Sequence, residues 1–386
     1  ATLQRLGFAP EQDSFPVDAL SGGQKTKLFL ARLLLEEPDL ILLDEPTNHL
    51  DIDAVEWLEG FIRQSSKTFL IVSHDRYFLD RVTDSTLELE NGYGCMFEGS
   101  YSVFKEKKRA LRAAQQKAYE VQQREIERIE AFIANQRRWN RERNIIAAES
   151  RQKELDRMVR VERPADAPRA ISFEIESARS KSGEVLSVRS LSKRYGQNTL
   201  FQNLSFELRQ GERLFVVGAN GCGKSTLVKI LTGRETADAG VFVPGYNQKI
   251  GYYDQEQQLL DDGNTVLDEL WSAYADKGAT QVRAMLARFG FIGEDVFKSV
   301  SALSGGERAR LSIAKLISGG ASLLILDEPT NHLDIPSKEQ LEDALRAYNG
   351  TVLAVSHDRY LIERLATSVL EIDRTGSGAG YRLYPG

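Results

Sequence analysis

The sequence predicts an α/β fold, with parallel strands covered by helices on both faces, and it predicts that fold twice. Three observations carry this. Two segments of the chain match without a gap at a constant offset of 283 residues. Each copy contains short unbroken apolar runs, at 40–43 and 69–72 in the first and at 323–326 and 352–355 in the second, alternating with helical patterns. Such runs suit strands buried on both faces. Finally, the apolar run 213–217 leads through a glycine-rich stretch into an apolar helical segment, 227–231, which is the strand–turn–helix order of a parallel unit.

The repeat comprises Leu-Ser-Gly-Gly-Gln at 20–24 against Leu-Ser-Gly-Gly-Glu at 303–307, LILLDEPTNHLD at 40–51 against LLILDEPTNHLD at 323–334, and Ser-His-Asp-Arg-Tyr at 73–77 against 356–360. All four histidines of the chain, His49, His74, His332 and His357, fall inside it. Two copies of one domain is the economical reading. The second copy extends further upstream, through the 213–226 strand and loop. The first has no counterpart because the chain starts too late, at Ala1 and within a segment that reads as mid-domain helix. The expected organisation is therefore a truncated first domain at 1–100, a connector at 101–170 and a nearly complete second domain at 171–386, in a fragment of a longer chain.

Composition sets bounds on function. At 386 residues and 41% hydrophobic, the chain is long enough for two packed units. No window approaches 18 uninterrupted apolar residues, and the start lacks a charged and then apolar leader, so neither a membrane span nor a secretory signal is expected. The two cysteines, Cys95 and Cys222, lack metal-site spacing, and a reduced, cytoplasmic compartment is expected. The net charge of −6 conceals an asymmetry: residues 101–170 hold 18 Lys and Arg against 11 Asp and Glu. A basic middle between acidic ends points to a polyanionic partner for the middle.

The stretch Gly218-Ala-Asn220-Gly221-Cys-Gly223-Lys224-Ser225-Thr226 fits G-x-x-x-x-G-K-[ST], with a buried strand before it and an apolar helix after it. Glycines let the backbone wrap phosphate groups, whose charge meets loop N–H groups and a helix N-terminus. Lys224 is placed to reach the β- and γ-phosphates of a nucleotide, and the Ser225 hydroxyl to ligate Mg²⁺. Asp327 closes the 323–326 strand, where a carboxylate can complete the Mg²⁺ shell. Glu328 follows as the candidate general base for an attacking water, and His357 ends the next strand, within reach of a γ-phosphate. An Asp-Glu pair at a strand end is ordinary surface charge when it stands alone; beside a phosphate loop it becomes chemistry.

Between 102 and 163 the chain is rich in Ala, Gln, Glu, Lys and Arg and free of Gly and Pro, which favours long helices. Leu111, Ala114, Ala118, Val121, Ile126, Ile129 and Ile133 form one apolar stripe, and Leu155, Met158 and Val159 a second. Two antiparallel helices ended by Pro164 and Pro168 are expected. Near the tip, Arg137, Arg138, Arg141 and Arg143 surround Trp139. Arginine suits phosphate contact and an aromatic can stack on a base. On composition alone the same residues equally describe a solvated coiled-coil face with Trp139 as an interhelical plug.

The phosphate loop, LSGGQ and LSGGE, the doubled LDEPTNHLD and the doubled SHDR together resemble the ATP-binding-cassette superfamily. The twinned cassettes with adjacent NHLD and no membrane part look like its F subfamily, over essentially the whole chain. The resemblance implies P-loop ATPase cassettes that bind ATP and Mg²⁺ in a head-to-tail sandwich. The loop 218–226 would face Ser21, Gly22, Gly23 and Gln24 of the first cassette. Tyr195 would be the aromatic against adenine, and Gln255 the glutamine near Mg²⁺. Read alone, Tyr195 is also plain core packing and Gln255 a surface polar residue. The first cassette departs from the pattern, lacking an adenine aromatic, a phosphate loop and its glutamine, so one of two composite sites can form. The resemblance further implies a monomeric ribosome-binding ATPase whose linker reaches toward transfer RNA and the peptidyl-transferase region, modulating translation or conferring antibiotic resistance. The rival readings are a DNA-associated cassette ATPase, the energy module of a membrane transporter, or an ATP-binding adaptor without turnover.

Overall fold

The computed structural model describes residues 16–17, 22–36, 38–48, 50–90, 92–138, 142–163, 183–196, 198–254, 260–274, 277–331, 333–373 and 380–385. The chain divides into two units, Ala1–Val82 with Ala170–Gly386, and Thr83–Arg169.

The first half of the larger unit runs α1 (Gly22–Leu35), β1 (Leu40–Asp44), α2 (Ile52–Gln64), β2 (Thr68–Val72) and α3 (Arg76–Val82). Strands β1 and β2 pair in parallel, with Leu40 opposite Thr68. Helix α2 starts where Asp51 accepts the Ala54 N–H at 3.2 Å, an N-cap that satisfies one orphan donor. It buries Ala54, Val55, Leu58 and Ile62 on one face, against Ile41 and Leu43. Only one side of β1 is covered: Ile41 is 2% exposed and Leu42 is 63% exposed.

In the smaller unit a hairpin, β3 (Ser85–Glu90) with β4 (Tyr93–Glu98), precedes two helices, α4 (Tyr101–Arg138) and α5 (Glu142–Arg157). The hairpin groups with the helices because Phe97 packs edge-on to Phe104 of α4 at 5.0 Å and Lys108 pairs with Glu88 and Glu90. Ile126, Ile129 and Ile133 of α4 bury against Ala148 and Leu155. The expected stripe is only partly realised. Helix α4 has 38 residues and α5 has 16, so Leu111, Val121 and Val159 stay exposed. Past α5 the chain returns without helix, with the Gln122 side chain donating to the Val159 carbonyl and accepting the Val161 N–H, both at 2.7 Å. Trp139 and Arg141 lie outside the described residues, as does the side chain of Arg143.

The second half contains β5 (Glu184–Tyr195), β6 (Asn198–Arg209), β7 (Arg213–Val217), α6 (Lys224–Leu231), β8 (Ala239–Pro244), β9 (Ile250–Tyr253), α7 (Val266–Trp271), α8 (Ala279–Arg288), α9 (Gly305–Ser318), β10 (Leu323–Asp327), α10 (Ile335–Ala347), β11 (Thr351–Val355), α11 (Arg359–Leu365), β12 (Ser368–Asp373) and β13 (Gly380–Pro385). Its main sheet has the order β13-β12-β7-β11-β10-β9, parallel except where β13 closes the edge. A second, antiparallel sheet, β6-β5-β8, covers one face. Leu323 and Ile325 bury toward that sheet and α6, while Leu324 and Leu326 bury toward α8 and α9. Both faces covered is what the unbroken apolar runs foretold.

The two halves of this unit meet through reciprocal ion pairs. Arg76, at the start of α3, reaches Glu342 of α10 and lies 3.8 Å from Glu339, with its guanidinium carbon 4.0 Å from the Tyr360 ring centre. Arg359, at the start of α11, reaches Glu59 of α2 and lies 3.9 Å from Glu56, its guanidinium carbon 4.2 Å from the Tyr77 ring centre. Every partner in one set stands 283 residues from its equivalent in the other.

Candidate functional site

The site is assembled at the C-terminal ends of β7, β10 and β11, where an α/β sheet leaves a crevice for a ligand. Strand β7 is buried through Leu214, Phe215 and Val216, then breaks at Gly218. Gly218 has φ +146°, and a Cβ there would stand 2.4 Å from the Ile372 carbonyl oxygen. Gly223 has φ +110°, and its Cβ would meet Leu200 at 2.9 Å. Only glycine fits either place, so the loop can press against the core. Gly221, at φ +78°, completes the turn. Helix α6 begins at Lys224, directly behind the loop, and Thr226 lies in its first turn.

Lys224 is buried, and its Nζ donates to the carbonyls of Gly218 and Ala219 at 2.8 and 3.1 Å. Ser225 Oγ donates to Asp327 Oδ1 at 3.4 Å. A hydroxyl and a carboxylate oxygen converging beside a glycine cradle are the hard oxygen donors that Mg²⁺ takes along with phosphate oxygens, so the residues present fit that ion. Burial pushes the Asp327 carboxyl above its ordinary value.

Glu328 follows at φ +47°, a conformation a non-glycine residue holds only when its surroundings impose it. Its N–H is tied to the Val355 carbonyl at 2.9 Å. Glu328 Oε2 accepts the His357 N–H at 3.3 Å, and Oε1 lies 3.6 Å from His357 Nε2. The first half repeats this geometry: Glu45 has φ +45°, its N–H is tied to the Val72 carbonyl at 2.8 Å, and Oε1 lies 3.7 Å from His74 Nε2. Burial raises the Glu328 carboxyl to about 8, a rise that nearby Lys224 limits and the Asp327 charge reinforces.

That shift has a consequence for stability. Below pH 4.5 the side chain is protonated folded or unfolded. From there to about pH 8 only the unfolded chain releases the proton, so stability falls as pH rises through this window. The full penalty above pH 8 is on the order of 5 kcal/mol. In the nucleotide-free chain, urea midpoints of the parent and of Glu328→Gln are expected to agree near pH 4.5 and to diverge up to pH 8.5, with the glutamine variant more stable. Midpoints that stay parallel across this range would show the carboxyl to be unperturbed.

Tyr195 ends β5 and is 49% exposed, so it is no core residue; Lys193 Nζ lies 5.1 Å from its ring centre. Of the expected first-cassette residues, Gly22, Gly23 and Gln24 open helix α1, and Ser21 lies outside the described residues, as does Gln255. One first-half residue outside these motif positions reaches the loop. Asp51, the N-cap of α2, accepts the Asn220 N–H at 3.3 Å through Oδ2. The signal was present, since Asp51 closes NHLD in the same place as Asp334, which caps α10 in the same manner. The first half thus contributes a carboxylate to the loop of the second.

Set beside known proteins, residues 1–48 and 201–331 match one ABC transporter domain family, and residues 87–173 match a second family also described as ABC transporter. The YdiF protein of Bacillus subtilis is 46% identical over 96% of this chain and 58% of its own length. ABC transporter F family member 5 of Arabidopsis thaliana is 38% identical over 96% of this chain and 54% of its own. The energy-dependent translational throttle protein EttA of Haemophilus influenzae is 37% identical over 96% of this chain and 66% of its own. The chain spans little more than half the length of the first two. In fold it is similar to the RNase-L Inhibitor, with a TM-score of 0.63 at 23% identity over all of this chain and 68% of that one.

Proposed function

Since this chain belongs to the F family of ABC proteins, we propose that it is an ATPase whose nucleotide is held by the loop 218–226 of one half and closed over by the other. The observation that carries the reading is the junction of Glu328, His357 and the Ser225–Asp327 pair beside a glycine cradle that the opposite half touches through Asp51.

The roles follow from the positions. Loop N–H groups and Lys224 cradle the phosphates, Tyr195 offers its exposed ring to adenine, Gln255 would stand near Mg²⁺, and the Ser21–Gln24 segment would face the loop. Mg²⁺, when bound through Ser225 and Asp327, screens the phosphate charge. Glu328 takes the proton of the attacking water when its carboxyl is ionised; burial, which raises that carboxyl to about 8, makes the carboxylate a stronger base than one in solvent, and the Lys224 charge beside it favours the ionised form. His357, fixed against Glu328, steadies the charge that develops on the transferred phosphoryl group.

The linker gives the ATPase its destination. The basic helix α4 and the arginines at 137–143 suit an RNA surface, and relatives named for translational throttling support the ribosome as partner. Closure on ATP would place the linker toward transfer RNA and the peptidyl-transferase region, with hydrolysis releasing it; translation control or antibiotic protection would follow from that one placement. Among the described residues no helix is long and apolar enough to cross a membrane.

Cosedimentation with 70S ribosomes tests this. The chain carrying Glu328→Gln is expected to pellet with ribosomes when ATP is present, and to lose at least tenfold in affinity when Arg137, Arg138, Arg141 and Arg143 become Glu. Each lost phosphate contact should also flatten the salt dependence. Pelleting that ignores ATP, or that duplex DNA competes away as well as ribosomes do, would remove the ribosome from the proposal.

A further inference from the structure

Helix α2 of the first half touches both walls of the nucleotide site. At its start, Asp51 holds the Asn220 N–H of the glycine loop. Eight residues on, about 12 Å along the axis, Glu59 holds Arg359 of the second half. Arg359 follows His357 and Asp358 directly, and His357 faces Glu328 through both its N–H and its ring.

The segment 356–359 is strapped from several directions. Asp358 accepts the Leu361 N–H at 3.0 Å and donates its own N–H to Ser356 Oγ at 3.1 Å. Lys338 lies 3.4 Å from Asp358 Oδ2 and donates to the His74 carbonyl of the first half at 3.2 Å. Arg359 is gripped by Glu59, flanked by Glu56 and stacked over Tyr77, all three from the first half. Both members of the central pair are nearly buried, Glu59 at 7% and Arg359 at 13% side-chain exposure. An ion pair so far from water is costly to form and to separate, so it holds its loop in one place rather than merely decorating the surface.

Resting on the ATPase reading, we propose that Arg359 is a positioning residue: clamped by Glu59 across the interface, it sets His357 against Glu328. Helix α2 then acts as a strut. When the halves close, its N-cap meets the phosphate loop and its Glu59 meets the histidine loop together, so the general base is aligned only when the opposite half is seated. Opening withdraws both at once. The first half thereby has a direct hold on the chemistry, separate from whatever its Ser21–Gln24 segment does.

The test separates alignment from binding and from folding. The 386-residue chain would be assayed for kcat per bound nucleotide and for KM, as parent, Glu328→Gln, Glu59→Gln, Arg359→Gln, Arg359→Lys and Glu342→Gln. Glu59→Gln and Arg359→Gln are expected to lower kcat per bound nucleotide at least tenfold with KM within about twofold. Arg359→Lys, which keeps the charge, is expected to recover part of that loss. Glu342→Gln disturbs the equivalent pair, beside the His74 loop, while leaving Glu59 and Arg359 paired, and is expected to leave kcat per bound nucleotide within twofold of the parent. Turnover of Glu59→Gln at the parent rate, a loss confined to KM, or an equal loss in Glu342→Gln would each overturn the proposal while the ATPase reading stands. A parent without Glu328-dependent turnover would overturn both.

Discussion

Replacing Glu328 with glutamine is expected to cut ATP turnover by about a thousandfold while leaving nucleotide binding within a few-fold of the parent. A positioned general base contributes about 10²- to 10⁴-fold, and the glutamine amide keeps the shape and one acceptor oxygen while losing the basicity. Among the described residues nothing else in the crevice is placed to substitute: Asp327 is engaged with Ser225, and His357 is itself oriented by Glu328. The check is single-turnover release of the γ-phosphate, with the dissociation constant of a fluorescent ATP analogue measured alongside. A rate within tenfold of the parent would mean that another group takes the proton. Because the same substitution removes a buried titrating carboxyl, the inactive variant should be the more stable one at pH 8, an exchange of stability for chemistry familiar at functional sites.

The second large effect is structural. Glu342→Ala should lower the unfolding free energy of the larger unit by about 3–5 kcal/mol, the usual cost of leaving a buried charge without its partner. Burial pulls the Arg76 guanidinium down, but its bond to Glu342 and the nearby acids more than offset this and hold it above its ordinary value. Arg76 has 1% of its side chain exposed and Glu342 none, so water cannot take over for either. Glu342 also anchors Arg364 at 2.8 Å, and the alanine variant would release that guanidinium too. Replacing the pair together, Arg76→Met with Glu342→Leu, is expected to recover most of the loss, since apolar groups of similar volume need no partner. Guanidinium unfolding midpoints would decide. A double variant no better than the single one would place the cost in packing rather than in charge.

How much of this was legible in the sequence depends on whether the chemistry sits in consecutive residues. The loop at 218–226, the acids at 327 and 328 and the histidine at 357 each belong to a motif whose spacing follows from one strand end, so the residues alone were enough to place their elements. The parallel strands were equally plain, because Leu323 to Leu326 bury on both sides and leave no polar interruption. The antiparallel β6-β5-β8 sheet was not foreseen, since β5 has register shifts around Ser190, itself at φ +50°, and its alternation is broken there. The apolar stripe at Leu111 and Val121 misled for another reason: periodicity specifies a helix face but not the length of the partner that covers it. Glu59 and Arg359 look like ordinary surface charges in sequence. They are buried by residues far away along the chain, and the clue was indirect, namely that Arg76 with Glu342 and Arg359 with Glu59 keep the repeat offset.

That doubled contact is an isologous interface held within one polypeptide. In a surface of this kind each half presents the same patch, and exchanging the halves maps every arginine onto its counterpart. In a symmetric pair of identical chains any change at such a patch is felt twice across the axis, whereas here each copy is a separate stretch of one chain and can differ from its counterpart while the pairing persists. Lys338, which bridges Asp358 and the His74 carbonyl, has the buried Val55 in the equivalent place. One side of the axis therefore holds a tether that the other cannot return, and the pair is a left and a right.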